Sequence, residues 1–340
     1  MNAASQLRVS VLGRGERAMR WSDAVEGVAQ RCPASDERPG DIDALVIAPG
    51  VADPFARAKE ALLAGLPVLH AAPSLLSPWQ AGVLRHLSLR EGVLLRFFEP
   101  FRYRPGFAFL RRALEGGEPL WRPTYLRTLC LALPGGPGRL DELATEQLAM
   151  CDALLDWQPR HVVAAASRRD AGDVCAAFLT IHSGDAPLVQ CTVSLAEVTE
   201  ARQLVVASAD CTVVMDDMDP LASLRVLRAG EEDVIVGERA RRNNGQLLAS
   251  PGDAVTSEAA RFVEAVAHGD TACSNAERWV RVASLWWAAR QSMTFGGATQ
   301  VPIPAFQARE TEPPPLRVIE GGGKTVRSAG RRPALSVVSR

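Results

Sequence analysis

A glycine-rich turn between an apolar run and a helical pattern constrains the fold of this chain more than any other feature. The run Val9-Ser10-Val11-Leu12 has the composition of a buried strand, and Gly13-Arg14-Gly15-Glu16-Arg17-Ala18 follows it directly. This G-x-G-x-x-A match lies where a strand turns into a helix, a place at which backbone N–H groups hold phosphate. We therefore predict a parallel α/β sheet that begins with this strand.

Strand-like and helical stretches alternate over the first hundred residues. The predicted strands are 7–12, 43–49, 66–70 and 93–98, and the predicted helices are 16–30, 54–64 and 77–91. Apolar strands that alternate with helices favour a doubly wound, Rossmann-like parallel sheet. The 24 residues between Ala18 and Asp43 hold one helix and a polar loop. We therefore expect a shortened sheet without the strand that presents an acid to an adenosine ribose.

The pattern changes after residue 100, where strand-like runs follow one another. Helices are predicted at 106–115, 140–156, 256–268 and 275–292, and strands at 124–133, 161–167, 174–182, 188–195, 202–207 and 211–215. Hairpin-length gaps between strands favour a mainly antiparallel sheet. We predict a Rossmann-like dinucleotide-binding domain over 1–100, an α+β domain with an open sheet over 101–299, and a flexible, basic Pro/Gly-rich tail over 300–340.

Composition excludes several classes of protein. The formal net charge of −1 gives no overall attraction to nucleic acid or to an anionic membrane. No apolar run approaches the roughly 20 residues that span a bilayer. Because the first eight residues are polar and form no signal-peptide core, we expect a cytoplasmic protein with no nucleic-acid or membrane partner. The seven scattered cysteines include no C-x-x-C pair, which predicts free thiols and no metal site.

Short segments in a fixed order give the chain a resemblance to a known family. They are Gly13-x-Gly15-x-x-Ala18, Asp43–Pro49, Ala64-Gly65-x-Pro67-Val68-Leu69, Arg102-Tyr103-Arg104-Pro105, Asp152 with Leu154-Leu155-Asp156-Trp157, and a late helix pair before Gly296-Gly297. With this order, the chain from about residue 7 to about 297 resembles the Gfo/Idh/MocA family of NAD(P)-dependent sugar and polyol oxidoreductases.

The resemblance implies a cofactor, a small-molecule ligand and an assembly. The implied cofactor is NAD or NADP, and the implied cofactor-binding residues are Gly13, Arg14, Gly15, Ala18, Ala48, Pro49 and Pro73. It also implies a homo-oligomer, or a pairing with a related active subunit, through the open face of the second sheet.

Two departures from the family pattern fall on catalytic positions. The family's E-K-P segment is Ala71-Ala72-Pro73 here, so the lysine that holds cofactor and substrate is missing. The family's D-x-G-x-H-x-x-D segment is Thr145-Glu146-Gln147-Leu148-Ala149-Met150-Cys151-Asp152, which puts Ala149 at the position of the proton-transferring histidine. The resemblance therefore leaves open whether the cofactor is still bound.

Three side chains are candidates for relocated catalysis, namely His70, Tyr103 and Asp152. His70 lies beside the missing lysine and belongs to the residue type that titrates near neutrality, although a strand-end histidine is more often structural. Arg104 is a candidate for holding an anionic substrate.

Other acidic residues have simpler interpretations. Asp36 lies 23 residues after Gly13, near the offset of a ribose-binding acid, but its loop-like surroundings favour a solvated position. Glu142 and Glu146 share a helix face, which favours a solvated acidic surface over a sugar or metal site. Asp216-Asp217 is a candidate for binding a hard cation, and a polar turn explains it more simply.

Two functions of different classes follow. The first is a protein of this family with a degenerate active site, weakly active or non-catalytic, that binds a nucleotide or serves as a partner subunit. The alternative is an NAD(P)-dependent oxidoreductase that acts on a sugar, a polyol or a related small molecule with relocated catalytic groups. A scaffold whose tail recruits another protein is a third, non-enzymatic hypothesis.

Overall fold

Two sheets organise the residues that the computed structural model describes. These residues are 7–32, 41–115, 122–155, 157–169, 172–184, 187–218, 222–228, 231–237 and 251–302. All of them fall within one compact unit, residues 1–304. Most of the region predicted as a tail lies outside the described residues.

The first sheet is parallel throughout, as predicted. Within the described residues it has five strands in the order β2-β1-β3-β4-β5. Their bounds are β1 Arg8–Leu12, β2 Gln30–Cys32, β3 Ala44–Ile47, β4 Val68–His70 and β5 Leu95–Phe97. Because all five run in one direction, the turns after β1, β3, β4 and β5 meet at the same edge of the sheet.

Strand β2 corrects one prediction. The strand expected to be missing beside β1 is present, with Gln30 opposite Arg8 and Cys32 opposite Ser10. It has only three residues, and Gln30 and Arg31 are exposed, so no apolar run marks it in the sequence. Backbone hydrogen bonds hold it, including one from the Gln30 N–H to the Leu7 carbonyl at 2.9 Å.

A helix follows each of the strands β1, β3, β4 and β5, as predicted. Their bounds are α1 Glu16–Glu26, α2 Pro54–Leu63, α3 Pro78–Glu91 and α4 Pro105–Glu115. Ser77 and Gln80 form a reciprocal capping box at the start of α3, and Gly92 ends this helix in the left-handed conformation. These local signals explain why the sequence predicts this part of the fold well.

The second sheet is antiparallel except where β6 pairs with β9. Its described strands number nine, in the order β13-β12-β11-β10-β6-β9-β8-β7-β14. Their bounds are β6 Tyr125–Leu131, β7 His161–Arg168, β8 Val174–His182, β9 Leu188–Ser194, β10 Ala201–Ala207, β11 Cys211–Asp216, β12 Ala222–Arg228, β13 Glu231–Gly237 and β14 Ala298–Gln300. The sequence did not predict β12, β13 or β14. Charged residues interrupt β12 and β13, and β14 has only three residues.

Three long helices complete the described fold. They are α5 Arg139–Leu154, α6 Pro251–His268 and α7 Ala276–Phe295. Helices α5 and α7 pack on the second sheet, whereas α6 returns to the first sheet and packs against α1. Phe262 and Val263 of α6 share a buried cluster with Trp21 and Val25 of α1.

None of the described helices combines the length and the apolar character needed to cross a bilayer.

A buried ion pair ties α6 to the first sheet. The Arg96 guanidinium on β5 donates to the Glu258 carboxylate on α6, and the two side chains are 4% and 0% exposed. The Tyr103 hydroxyl donates to the same carboxylate at 2.6 Å. Arg96 also donates to the Cys273 carbonyl at 2.7 Å. Because each charge has a partner, the pair satisfies groups that are costly to bury alone.

We predict that Glu258→Ala lowers the free energy of unfolding by about 3–5 kcal/mol, because it leaves Arg96 buried without its carboxylate partner. The control is Glu60→Ala, whose partner Arg57 lies on the surface of α2 with a 59% exposed side chain. Urea unfolding followed by circular dichroism measures both variants. Equal midpoints for the two variants would show that the buried pair does not stabilise the protein.

Candidate functional site

The glycine-rich turn is held by close backbone packing. A Cβ atom on Gly13 would lie 2.8 Å from the Pro49 carbonyl oxygen and 2.9 Å from the Cβ atoms of Ala18 and Ala48. The Arg14 N–H donates to the Pro49 carbonyl at 3.1 Å. Only glycine fits at position 13, and the turn after β1 is therefore fixed against the turn after β3.

The N-terminus of α1 is open. Gly15 is its N-cap residue, with φ of 85°, and no side chain caps the helix. A Cβ atom built on Gly15 would meet nothing within 4 Å. The first N–H groups of a helix have no partner within the helix, and together with the helix dipole they attract anions. This end of α1 can therefore receive a phosphate group.

A cleft of about 830 Å³ lies between α1 and α5, and Arg17, Arg20 and Trp21 of α1 line it. One wall is the edge of the first sheet, including Pro49, Ala71–Leu75 and Phe98. The other wall includes the start of α5, together with Arg202 on β10 and Asp217, which follows β11. The ionisable side chains that line the cleft are Arg17, Arg20, Tyr103, Arg104, Arg139, Glu142, Glu146, Glu200, Arg202 and Asp217.

The structure distributes the predicted cofactor residues over the turn and the cleft wall. Pro49 and Pro73 line the cleft. Gly13, Arg14 and Gly15 form the exposed turn, while Ala18 and Ala48 are buried behind it.

The wall beside β4 has no ionisable side chain at the position expected for lysine. Ala71, Ala72 and Pro73 all line the cleft. Lysine occurs in this chain only at positions 59 and 324. Lys59 is exposed on α2 and is not among the cleft residues, and Lys324 lies outside the described residues.

The position aligned with the family's histidine is not in the cleft either. Ala149 is 0% exposed and packs in the core between α5 and its neighbours. Thr145, one turn earlier on α5, does line the cleft. Its hydroxyl donates to the Asp141 carbonyl at 2.7 Å, within its own helix.

Two of the three candidate catalytic residues lie outside the cleft. His70 is 0% exposed at the end of β4, beside the Phe97 ring, and neither ring nitrogen has a hydrogen-bond partner. Burial lowers its pKa to about 3. Asp152 is buried and accepts from Trp157 and from Arg281 at 2.9 and 3.0 Å, and it forms an ion pair with Arg278 at 3.2 Å. The geometry favours structural roles for both.

Tyr103 lines the cleft, but its hydroxyl is already engaged by Glu258. Burial, followed by the neighbouring Glu258 charge, raises the pKa of Tyr103 well above its ordinary value. The phenol is therefore a hydrogen-bond donor rather than a proton acceptor near neutral pH.

The sequence did not predict a charged cluster deep in the cleft. Arg104 follows the turn of 3₁₀-helix at Pro100–Tyr103 and donates both to Glu146 on α5 and to Asp217 after β11, the latter at 2.7 Å. The Glu146 side chain is only 14% exposed, so the prediction of a solvated acidic face is wrong at this residue. Burial raises the pKa of Asp217, and Arg104 opposes part of that rise. The cluster forms because the fold joins three distant segments.

The remaining acidic candidates do not form a metal site in the described residues. Asp216 accepts from the Met218 N–H at 2.9 Å and from the Gln203 amide at 2.8 Å, which is the geometry of a strand end and turn. No group of three or more His, Cys, Asp or Glu side chains within the described ranges could hold a metal ion. Asp36 lies outside the described residues.

A parallel, Rossmann-type sheet is joined to an open, mainly antiparallel sheet, and a cleft lies between them, which defines a two-domain α/β fold. No protein-family model and no curated protein matches the sequence.

Solved structures resemble the chain over most of its length. UDP-N-acetylglucosamine 3-dehydrogenase from Acidithiobacillus ferrooxidans has a TM-score of 0.71 and 19% identity, over 86% of this chain and 99% of that chain. An oxidoreductase from Agrobacterium radiobacter, solved with NAD+, L-tartaric acid and magnesium, has a TM-score of 0.72 and 16% identity, over 87% of this chain and 99% of that chain. Levoglucosan dehydrogenase, solved with NADH, has a TM-score of 0.75 and 15% identity, over 88% of this chain and 100% of that chain. At these identities the likeness shows the fold, and the fold expected from the Gfo/Idh/MocA resemblance is confirmed.

The buried histidine predicts a pH dependence of stability. The folded-state pKa of His70, about 3, lies below the ordinary value of 6.5, so the unfolded chain binds a proton that the folded chain does not. Stability from this residue is complete above pH 6.5 and falls as the pH decreases toward 3.

We expect His70→Leu to remove this dependence. Between pH 7 and pH 5 the wild type should lose about 2 kcal/mol of unfolding free energy relative to the variant. Urea unfolding at pH 7, 6 and 5 measures the difference between the two proteins. A difference that stays constant with pH would mean that His70 has the same pKa in the folded and unfolded states, and it would contradict the lowered pKa.

Proposed function

We propose that this chain binds NAD or NADP in the cleft and oxidises or reduces sugars and polyols weakly or not at all. The observation that carries the proposal is a contrast between the start of α1 and the wall of the cleft beside β4. The α1 N-terminus is open and uncapped, whereas Ala71, Ala72 and Pro73 place no ionisable group on the wall beside β4.

The described residues fit a dinucleotide at the glycine-rich turn. Gly13 allows the close packing that fixes the position of the turn, and Gly15 leaves open space above the helix N-terminus. The diphosphate would be held there by backbone N–H groups, with Pro49 and Pro73 lining the path along the cleft. When bound, the nicotinamide supplies the hydride that such reactions transfer.

Efficient hydride transfer at a carbinol also needs a group that accepts the hydroxyl proton. Ala72 cannot accept it, Ala149 is buried, and Tyr103 stays protonated and donates to Glu258. Loss of a general base typically slows catalysis by about 10²–10⁴-fold. This supports binding with little turnover.

A second candidate function rests on the Arg104 cluster. Glu146 and Asp217 are carboxylates inside the cleft, and burial raises the pKa of Asp217. A carboxylate with a raised pKa is a better proton acceptor for an alcohol than an ordinary one. This arrangement supports an oxidoreductase with a relocated base, in which Arg104 orients the carboxylate pair.

A partner role is part of the first proposal. The second sheet exposes Val163 on β7 and Phe178 on β8, at 41% and 47%. Exposed apolar side chains on a sheet support association with a second copy or with a related active subunit. A cytoplasmic location remains part of the same proposal.

We expect NADH or NADPH to bind the purified protein, and Gly15→Asp to raise the Kd at least about tenfold. The new carboxylate would lie where the diphosphate binds and would repel it. Nicotinamide fluorescence measures the Kd. The matched control is Gly65→Asp, because Gly65 also has a positive φ and open space but lies at the end of α2, outside the cleft.

The same samples separate the two candidate functions. Binding without detectable turnover across a panel of sugars and polyols supports the first, and turnover that Asp217→Asn abolishes supports the second. No binding at millimolar NADH and NADPH would contradict both. Unchanged binding by Gly15→Asp would show that the cofactor is held elsewhere.

A further inference from the structure

One ion pair spans the cleft near the glycine-rich turn. Arg17 lies in the first turn of α1, and two of its guanidinium N–H groups donate to the two carboxylate oxygens of Glu142, one of them at 3.3 Å. Glu142 lies in the first turn of α5, and both residues line the cleft. The pair therefore joins the phosphate-binding wall to the opposite wall.

The Arg17 side chain is placed to reach an anion at the start of its own helix. Side chains on a helix lean toward its N-terminus, so Arg17 covers the turn that Gly15 begins. Its side chain is 60% exposed, and it can therefore move without disturbing the core. Arginine also matches a phosphate with two parallel hydrogen bonds.

Glu142 has a second cationic partner. Arg139 donates to it at 2.9 Å, and the Glu142 side chain is 28% exposed. Burial alone would raise the pKa of Glu142, but Arg17 and Arg139 together lower it below its ordinary value. If Arg17 moves to a phosphate, Glu142 keeps Arg139, and no charge is left unpaired in either arrangement.

We propose that Arg17 is a phosphate-contacting residue of this cleft and that Glu142 competes with the phosphate for it. The proposal rests on the proposed nucleotide function. A diphosphate at the α1 N-terminus takes the Arg17 guanidinium from Glu142, which opens the cleft between the turn and α5. An ion pair as exposed as Arg17–Glu142 contributes little free energy. A doubly charged diphosphate, which the helix N-terminus also attracts, therefore displaces Glu142 from Arg17.

A double-mutant cycle tests the competition. The variants are Glu142→Gln, Arg17→Gln and the double variant, titrated with NADH and separately with inorganic pyrophosphate. We expect Glu142→Gln to tighten binding about two- to fivefold, within the strength of a surface ion pair, and Arg17→Gln to weaken it. In the Arg17→Gln background, Glu142→Gln should have no further effect, because the competition needs both partners.

A matched surface pair controls for the loss of charge. Arg57→Gln and Glu60→Gln remove an exposed ion pair on α2, and they should leave both affinities unchanged. Thermal melting confirms that every variant is folded.

The outcomes separate this proposal from the proposed function. If Glu142→Gln tightens binding equally in both backgrounds, the carboxylate acts only by long-range repulsion and the competition is refuted. If NADH binds all four proteins with one affinity, the nucleotide function stands and the role of Arg17 is overturned. In a further outcome, the effects of the two substitutions on pyrophosphate affinity depend on each other, but NADH does not bind. This outcome supports the role of Arg17 and contradicts the nucleotide function. No binding of either probe to any variant contradicts both.

Discussion

The close approach of two backbone turns is the constraint on which the cleft depends. Gly13 lies against the Pro49 carbonyl, and a Cβ atom on Gly50 would lie 2.6 Å from the Arg14 carbonyl oxygen. With the Arg14 N–H bonded to Pro49, the turns after β1 and β3 form one rigid edge. Helix α1 begins at this edge, and its Arg17, Arg20 and Trp21 line the cleft. Side chains larger than hydrogen at positions 13 and 50 would force the turns apart and displace the start of α1.

The packing of the rest of the fold keeps this edge in place, and it does not depend on the side chains of the neighbouring cleft wall. Helix α6 covers α1 and is tied to β5 by the buried Arg96–Glu258 pair. The adjacent wall at Ala72 contributes only backbone and a methyl group. The residues that build a ligand-holding scaffold differ from the residues that react with the ligand. A protein can therefore keep the first set while the second set changes.

Local patterns in the sequence were sufficient to predict most of the fold. The glycine-rich turn is a short-range signal, and in the structure it joins β1 to α1 as expected. Strand β2 was missed because it is polar and only three residues long. Its pairing depends on the neighbouring strand rather than on its own side chains.

The candidate site was less predictable, because its charges come from distant segments. Arg104, Glu146 and Asp217 form one cluster only after the helices and the second sheet have packed. The positions of acidic residues along α5 could not show that Glu146 is buried in an ion pair with Arg104. The burial of His70 likewise follows from its position between β3 and β5. The sequence alone was sufficient to recognise that Ala72 occupies the position at which the family pattern predicts a lysine.

A crystal structure of the full chain grown with NADH tests the central claim most directly. We predict that the diphosphate lies on the N–H groups at the start of α1, above Gly15, and that the nicotinamide extends along the cleft toward Ala72. We also predict that no side chain contributed from elsewhere in the chain replaces the missing lysine there. Cofactor bound outside this cleft, or a cationic side chain from residues 303–340 seated beside Ala72, would contradict the account.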